Sequence, residues 1–172
     1  MKRVAAVVCA VLIITVVFLG LHLWPTLRAD QGFEDLVGLV EKYRSFPPPA
    51  EIAGVIYEFG DVGSGHVERV VAANLKDEEK SRRWAAMLLL ASWFQAHPAE
   101  LHSREWTEQF RSDIVSGLHS EDYDERYCAV GAMYALPELG AARAELERIS
   151  QSDSDEPLRA LATWVLRQRQ QL

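Results

Sequence analysis

The 172 residues are 49% hydrophobic and 25% charged, a composition of folded rather than disordered chains, with length for one domain and a targeting segment besides. Net charge is −7, and the 25 acidic side chains all follow Trp24 together with all but two of the 18 basic ones, so nucleic acid is not an expected partner. Cys9 and Cys128 lie in separate predicted helices, which excludes a disulfide framework and any metal-ligand spacing.

Residues 1–3 carry Lys2 and Arg3. Residues 4–24 then run without a formal charge, counting His22 as neutral. As a helix this run is about 31 Å long at about 1.5 Å per residue, against a bilayer core of about 30 Å. It reads as a single-pass signal-anchor helix, with Trp24 where an interfacial aromatic belongs. A cleaved signal peptide is the competing reading. Its apolar region would be about 7–15 residues, and the nearest cleavage site, Leu27-Arg28-Ala29, has a large residue where a small one is wanted. The basic flank predicts residues 1–3 in the cytoplasm and the domain outside. Cleavage would leave the same domain secreted or periplasmic. Residues 25–32 read as a linker.

From residue 33 to 172 no β-pattern persists, and helices alternate with punctuation. Residues 33–44 place Phe33, Leu36, Val37 and Val40 on one face, and the prolines at 47–49 end that helix. Residues 51–59 follow, then the Gly-rich turn 60–65 and a helix at 66–75. A long helix is predicted over 81–96. Ser103 reads as the N-cap of the next, with Trp106, Phe110, Ile114 and Leu118 in a stripe at spacing four. An acidic loop leads to 125–136, Pro137 and Gly140 separate that from 141–149, and a Ser/Asp loop precedes 156–168. Pro157 fits the first turn of that last helix.

Three of these helices align without gaps. Arg82, Ala85 and Leu89 match Arg126, Ala129 and Met133, and these match Arg159, Ala162 and Leu166. Each arginine follows an acidic loop, and they lie 44 and 33 residues apart. Both spacings are near those of paired-helix repeats. The alanines would allow close helix approach. An arginine near a helix start opposes the helix dipole, so a bond to a loop acid in its own or the next repeat would explain its placement. An irregular bundle with three chance matches is the alternative.

On these residues the chain resembles the HEAT-repeat family, including its shorter bacterial, bilin-lyase-type form. The resemblance covers about residues 77–172 and is weak over 33–75. It implies an all-α fold, a short right-handed α-solenoid of about four antiparallel helix pairs, here preceded by the transmembrane helix.

No catalytic or cofactor-binding constellation stands out. His97 and His102 flank a proline turn at a spacing unsuited to metal ligation, and His22 is in the anchor. Ser92, Ser116 and Ser120 have no nucleophile-elbow setting. The glycines at 60, 63 and 65 lack a preceding strand and a following Lys-Ser/Thr. Glu121, Asp122 and Asp124 lack the spacing of a calcium loop.

One face departs from expectation. If the repeat Ala and Leu/Met point inward, Met87, Leu90, Phe94, Tyr127, Tyr134 and Trp164 point outward, where polar residues belong. Either these helices are buried on both sides, or they line a groove for a protein partner. The expected function is a non-enzymatic, membrane-anchored interaction module. The alternatives are a ligand-handling accessory of the lyase type and a structural subunit of a membrane complex.

Overall fold

A computed structural model describes the backbone of residues 2–43, 54–55, 59 and 62–170, with side chains from residue 23 onward except that of His102. Among the described residues the chain is all-helical and without strands. The α-helices are α1 (Lys2–Tyr43), α2 (Ser64–Asn74), α3 (Lys80–Ala96), α4 (Arg111–Leu118), α5 (Tyr123–Ala132), α6 (Ala142–Ser152) and α7 (Glu156–Gln170). A 3-10 segment, Pro98–Phe110, joins α3 to α4, and a 3-10 turn, Met133–Ala135, closes α5.

The first difference from expectation is α1. Residues 25–32, read as a linker, are helical and belong to one helix from residue 2 to residue 43, with Pro25 inside it. Proline removes one backbone donor from that ladder. The second half of the helix carries a buried stripe, Ala29, Phe33, Leu36, Val37 and Val40, spaced at three and four. Among the described residues no helix is long and apolar enough to cross a membrane. The apolar run 4–24 lies in the first half of α1, almost wholly where only the backbone is described. The helix expected at 51–59 falls largely outside the described residues, and of the turn expected at 60–65 the described part is Val62 and the N-cap Gly63, with α2 already begun at Ser64.

Two helices occupy the centre. α3 packs on α1, α2 and α5, and α5 packs on α3, α4 and α7. Their buried runs, residues 84–91 and 128–136, go all the way round each helix. α1, α3, α5 and α7 thus follow one another in contact, while α2, α4 and α6 pack against their sequence neighbours. Where α4 meets α5 the backbones come close: a Cβ added at Gly117 would lie 2.8 Å from the Cβ of Ala129.

The stripe Trp106–Phe110–Ile114–Leu118 is real, but its backbone is not one α-helix. Ser103 does not cap it. Its φ of −111° and ψ of 23° break the helix, and its hydroxyl donates back toward Glu100, 3.1 Å from the carbonyl and 2.9 Å from the carboxylate. Such a local side-chain bond competes with helix propagation. Thr107 then anchors the segment to the core: its buried hydroxyl is 2.7 Å from the Arg104 carbonyl and 2.9 Å from that of Ala135.

Candidate functional site

The loops before α3, α5 and α7 share one construction. In each, a side-chain oxygen accepts the amide two residues on: Asp77 from Glu79 at 2.9 Å, Ser120 from Asp122 at 3.2 Å, Asp153 from Asp155 at 3.1 Å. These are the short Asx- and Ser-type turns that tighten a helix entry. α3 and α5 then start with the same backbone: Glu79 at φ −77°, ψ 120° and Asp122 at φ −77°, ψ 121°.

An arginine then folds back over each turn. Arg126 Nη1 donates to the carbonyls of Ser120 and Glu121 at 2.9 and 3.0 Å. Arg159 Nη1 does the same to Asp153 and Ser154 at 2.6 and 3.1 Å. In the first loop the residue that does this is Arg83, not Arg82: its Nη1 donates to Asp77 and Glu78 at 2.8 and 3.0 Å. The equivalent residues of α3 are therefore Arg83, Ala86 and Leu90 rather than Arg82, Ala85 and Leu89. All four of Ala85, Ala86, Leu89 and Leu90 are buried, so the sequence pattern fits either register.

The arginines also link successive loops. Arg83 Nε lies 3.3 Å from Glu125 Oε1, and Arg126 Nη2 lies 3.7 Å from Asp155 Oδ2. Ala129, Met133 and Ala162 are buried and Leu166 is half-buried against the core. Arg82 has a separate task. It holds Glu34 of α1 through both guanidinium nitrogens, at 2.6 and 3.1 Å, and donates to the buried Asn74 at 2.9 Å. It also lies 5.6 Å above the Phe33 ring, pinning α1 to the ends of α2 and α3.

The corrected register moves the candidate surface. Met87, Leu90, Phe94 and Tyr134 are buried, and none of them lines the pocket across α3, α5 and α7. Met87 fills the α3–α4 contact beside Gly117, and Phe94 stacks on Trp106 at 5.6 Å. A helix apolar all round is internal because every side has a neighbour. The positions five after Arg83, Arg126 and Arg159 are Leu88, Gly131 and Trp164. All three line one pocket of about 340 Å³ across α3, α5 and α7, with Ala91, Tyr127 and Leu161. Gln95 is exposed and Ser92 half-exposed at its α3 side. Tyr127 and Trp164 were legible from sequence. Leu88 and Ala91 were missed because the repeat was set one residue early on α3, and Leu161 joins the pocket only through the packing of α7 on α5.

The chemistry of this pocket is apolar and aromatic. Burial pushes the Tyr127 phenol up to about 12, so it stays neutral. Cys128 is buried and its thiol is held far above the ordinary value, first by burial and then by nearby acids. It is a small core hydrophobe rather than a nucleophile. Trp164 rests against Tyr134 with ring centres 5.2 Å apart. Among the described residues no group of three or more His, Cys, Asp or Glu is placed to hold a metal ion. His97 stacks on Trp93 at 4.6 Å, and His119 lies 3.8 Å from Glu145. No family model, curated protein or solved structure matches the chain.

Proposed function

We propose that the chain is a membrane-tethered, non-enzymatic interaction module whose residues 33–172 form a short HEAT-like α-solenoid. The groove across α3, α5 and α7 receives another protein. The observation that carries this reading is the corrected register: the same position of three successive helices supplies Leu88, Gly131 and Trp164 to one apolar pocket. Apolar and aromatic surface of this kind is what interface centres are made of. The recurring Arg-over-turn loops support a repeat architecture. The tether is supported by the uncharged run 4–24 and by Leu23, Trp24 and Leu27, large apolar side chains left exposed on α1 directly at and after its end.

The test places a photo-crosslinker at the exposed Gln95 in native membranes. The expected result is one discrete protein adduct, lost in the Leu161→Asp/Trp164→Ala variant while circular dichroism and thermal midpoint stay near the parent's. An adduct indifferent to those substitutions would defeat the groove reading. A second reading is favoured by the pocket's size alone, which falls in the roughly 300–1,000 Å³ range of small-ligand sites. Purified protein that carries a coloured or otherwise bound small molecule, lost in Trp164→Ala, would establish that reading instead.

A further inference from the structure

Away from the groove, α7 and the 3-10 segment bring two arginines to the same backbone oxygen. Arg104 Nη2 donates to the Pro137 carbonyl at 3.1 Å, and Arg169 Nη2 donates to it as well. Most guanidiniums of this acidic domain have a carboxylate at hand: Arg82 has Glu34, Arg83 has Glu125, Arg111 has Glu108 and Arg126 has Asp155. No carboxylate of the described residues lies within ion-pair distance of Arg104 or Arg169. Moreover, Nε of Arg104 and both Nε and Nη1 of Arg169 are shielded from solvent without any hydrogen-bond partner. Buried N–H donors are nearly always satisfied, and a charged one left alone carries its full desolvation cost.

From this geometry we propose that Arg104 and Arg169 form a binding site for a phosphate group, free or as a monoester. Two positive charges share only a neutral carbonyl, and a phosphate monoester near neutral pH carries about two negative charges and three acceptor oxygens. A carboxylate would cancel one charge only. Guanidinium forks match phosphate oxygens in pairs. Both residues keep part of their surface in solvent. The mutual strain is visible in Arg169, pushed down to about 10, first by burial and then by the charge of Arg104. Glu105 and Glu138 act on the pair only at longer range, and Arg111 nearby is already neutralised by Glu108. The Tyr134 side chain lies near both arginines.

The test uses the full chain in detergent micelles and follows its thermal midpoint against inorganic phosphate, with chloride at matched ionic strength as the reference. The expected result is a saturable rise with phosphate beyond the chloride control. Arg104→Gln and Arg169→Gln should each weaken the apparent affinity at least tenfold, and Arg169→Lys, which keeps charge but loses the fork, should fall between. Glycerol phosphate in place of phosphate decides the source: tighter binding assigns an esterified ligand, weaker binding the free ion. No rise beyond chloride would overturn the site. So would a rise that is equal in the parent, Arg169→Lys and Arg104→Lys, two variants that retain the charge and aliphatic stem if the Gln variants do not fold.

Discussion

Gly117 is where a single atom matters most. An added Cβ would meet Ala129 Cβ at 2.8 Å and Met87 Cε at 3.3 Å. The flexible end of Met87 can yield, but the Ala129 Cβ is fixed to the backbone of α5, so α4 and α5 must part. Gly117→Ala is expected to cost about 1–3 kcal/mol through overpacking, read as a lower urea midpoint at unchanged slope. Gly131 is the control. Its added Cβ would sit 3.6 Å from Ala91 Cβ, an ordinary contact. Gly131→Ala should stay within about 0.5 kcal/mol or gain slightly from helix propensity. Equal midpoints for the two variants would remove the close-approach account. Ala129 could be picked out from the repeat, whereas nothing in the sequence marks Gly117. Its role exists only because α4 happens to cross α5 there.

At the scale of one element, α5 shows how a helix start is secured. Asp122 caps it, accepting the amides of Asp124 and Glu125 at 3.0 and 3.4 Å and the Lys80 ammonium at 2.8 Å. Burial pushes this carboxyl up, yet the Lys80 and backbone bonds together outweigh it and hold it below the usual carboxylate range. A group whose folded value is depressed stabilises the fold above its unfolded value, and that contribution is lost as pH falls through the folded one. Asp124 works the other way, raised by burial and then by the charge of Asp122. Asp122→Asn should keep the cap, relieve Asp124 and flatten the loss of stability below about pH 4. Urea unfolding between about pH 3 and pH 6 measures this, and an unchanged acid slope in the variant would refute it. The 3-10 segment carries a related lesson. Its apolar face was legible because the stripe continues from Phe110 through Ile114 and Leu118 of α4, where residues four apart share a face, and only the step from Trp106 to Phe110 lies in 3-10 turns. Its backbone was not, because Ser103 bonds to Glu100 rather than forward.

For the whole molecule, burial is concentrated in α3 and α5, which pack on helices that precede and follow them, while α6 and α7 lie at one end of the succession. Stability in such an arrangement grades from centre to end. Amide exchange should therefore be slowest in α3 and α5 and faster in α6, α7 and Pro98–Phe110. Protection in α7 equal to that in α3 would contradict this order. The same centrality explains why Met87, Leu90, Phe94 and Tyr134 are core. From sequence they formed the unexplained apolar face of two helices. Packing supplied the neighbours that made them internal: α4 at Gly117 for Met87, Trp106 of the 3-10 segment for Phe94 and Trp164 of α7 for Tyr134.

By itself the sequence determined the helical class, the apolar stripes, the acidic turns and two of the three arginines that fold over them. These depend on contacts within a few residues, and helical periodicity records them directly. Register and facing were decided by tertiary structure. Arg82 and Arg83 are adjacent, and Ala85, Ala86, Leu89 and Leu90 satisfy either alignment. Only the bonds of Arg83 to Asp77 and Glu78, and of Arg82 to Glu34 of α1, separate the two. One residue is about 100° of helix, enough to move the groove from Met87 and Leu90 to Leu88 and Ala91. The meeting of Arg104 and Arg169 at Pro137 was likewise invisible, since it joins segments that become neighbours only when the last helix packs.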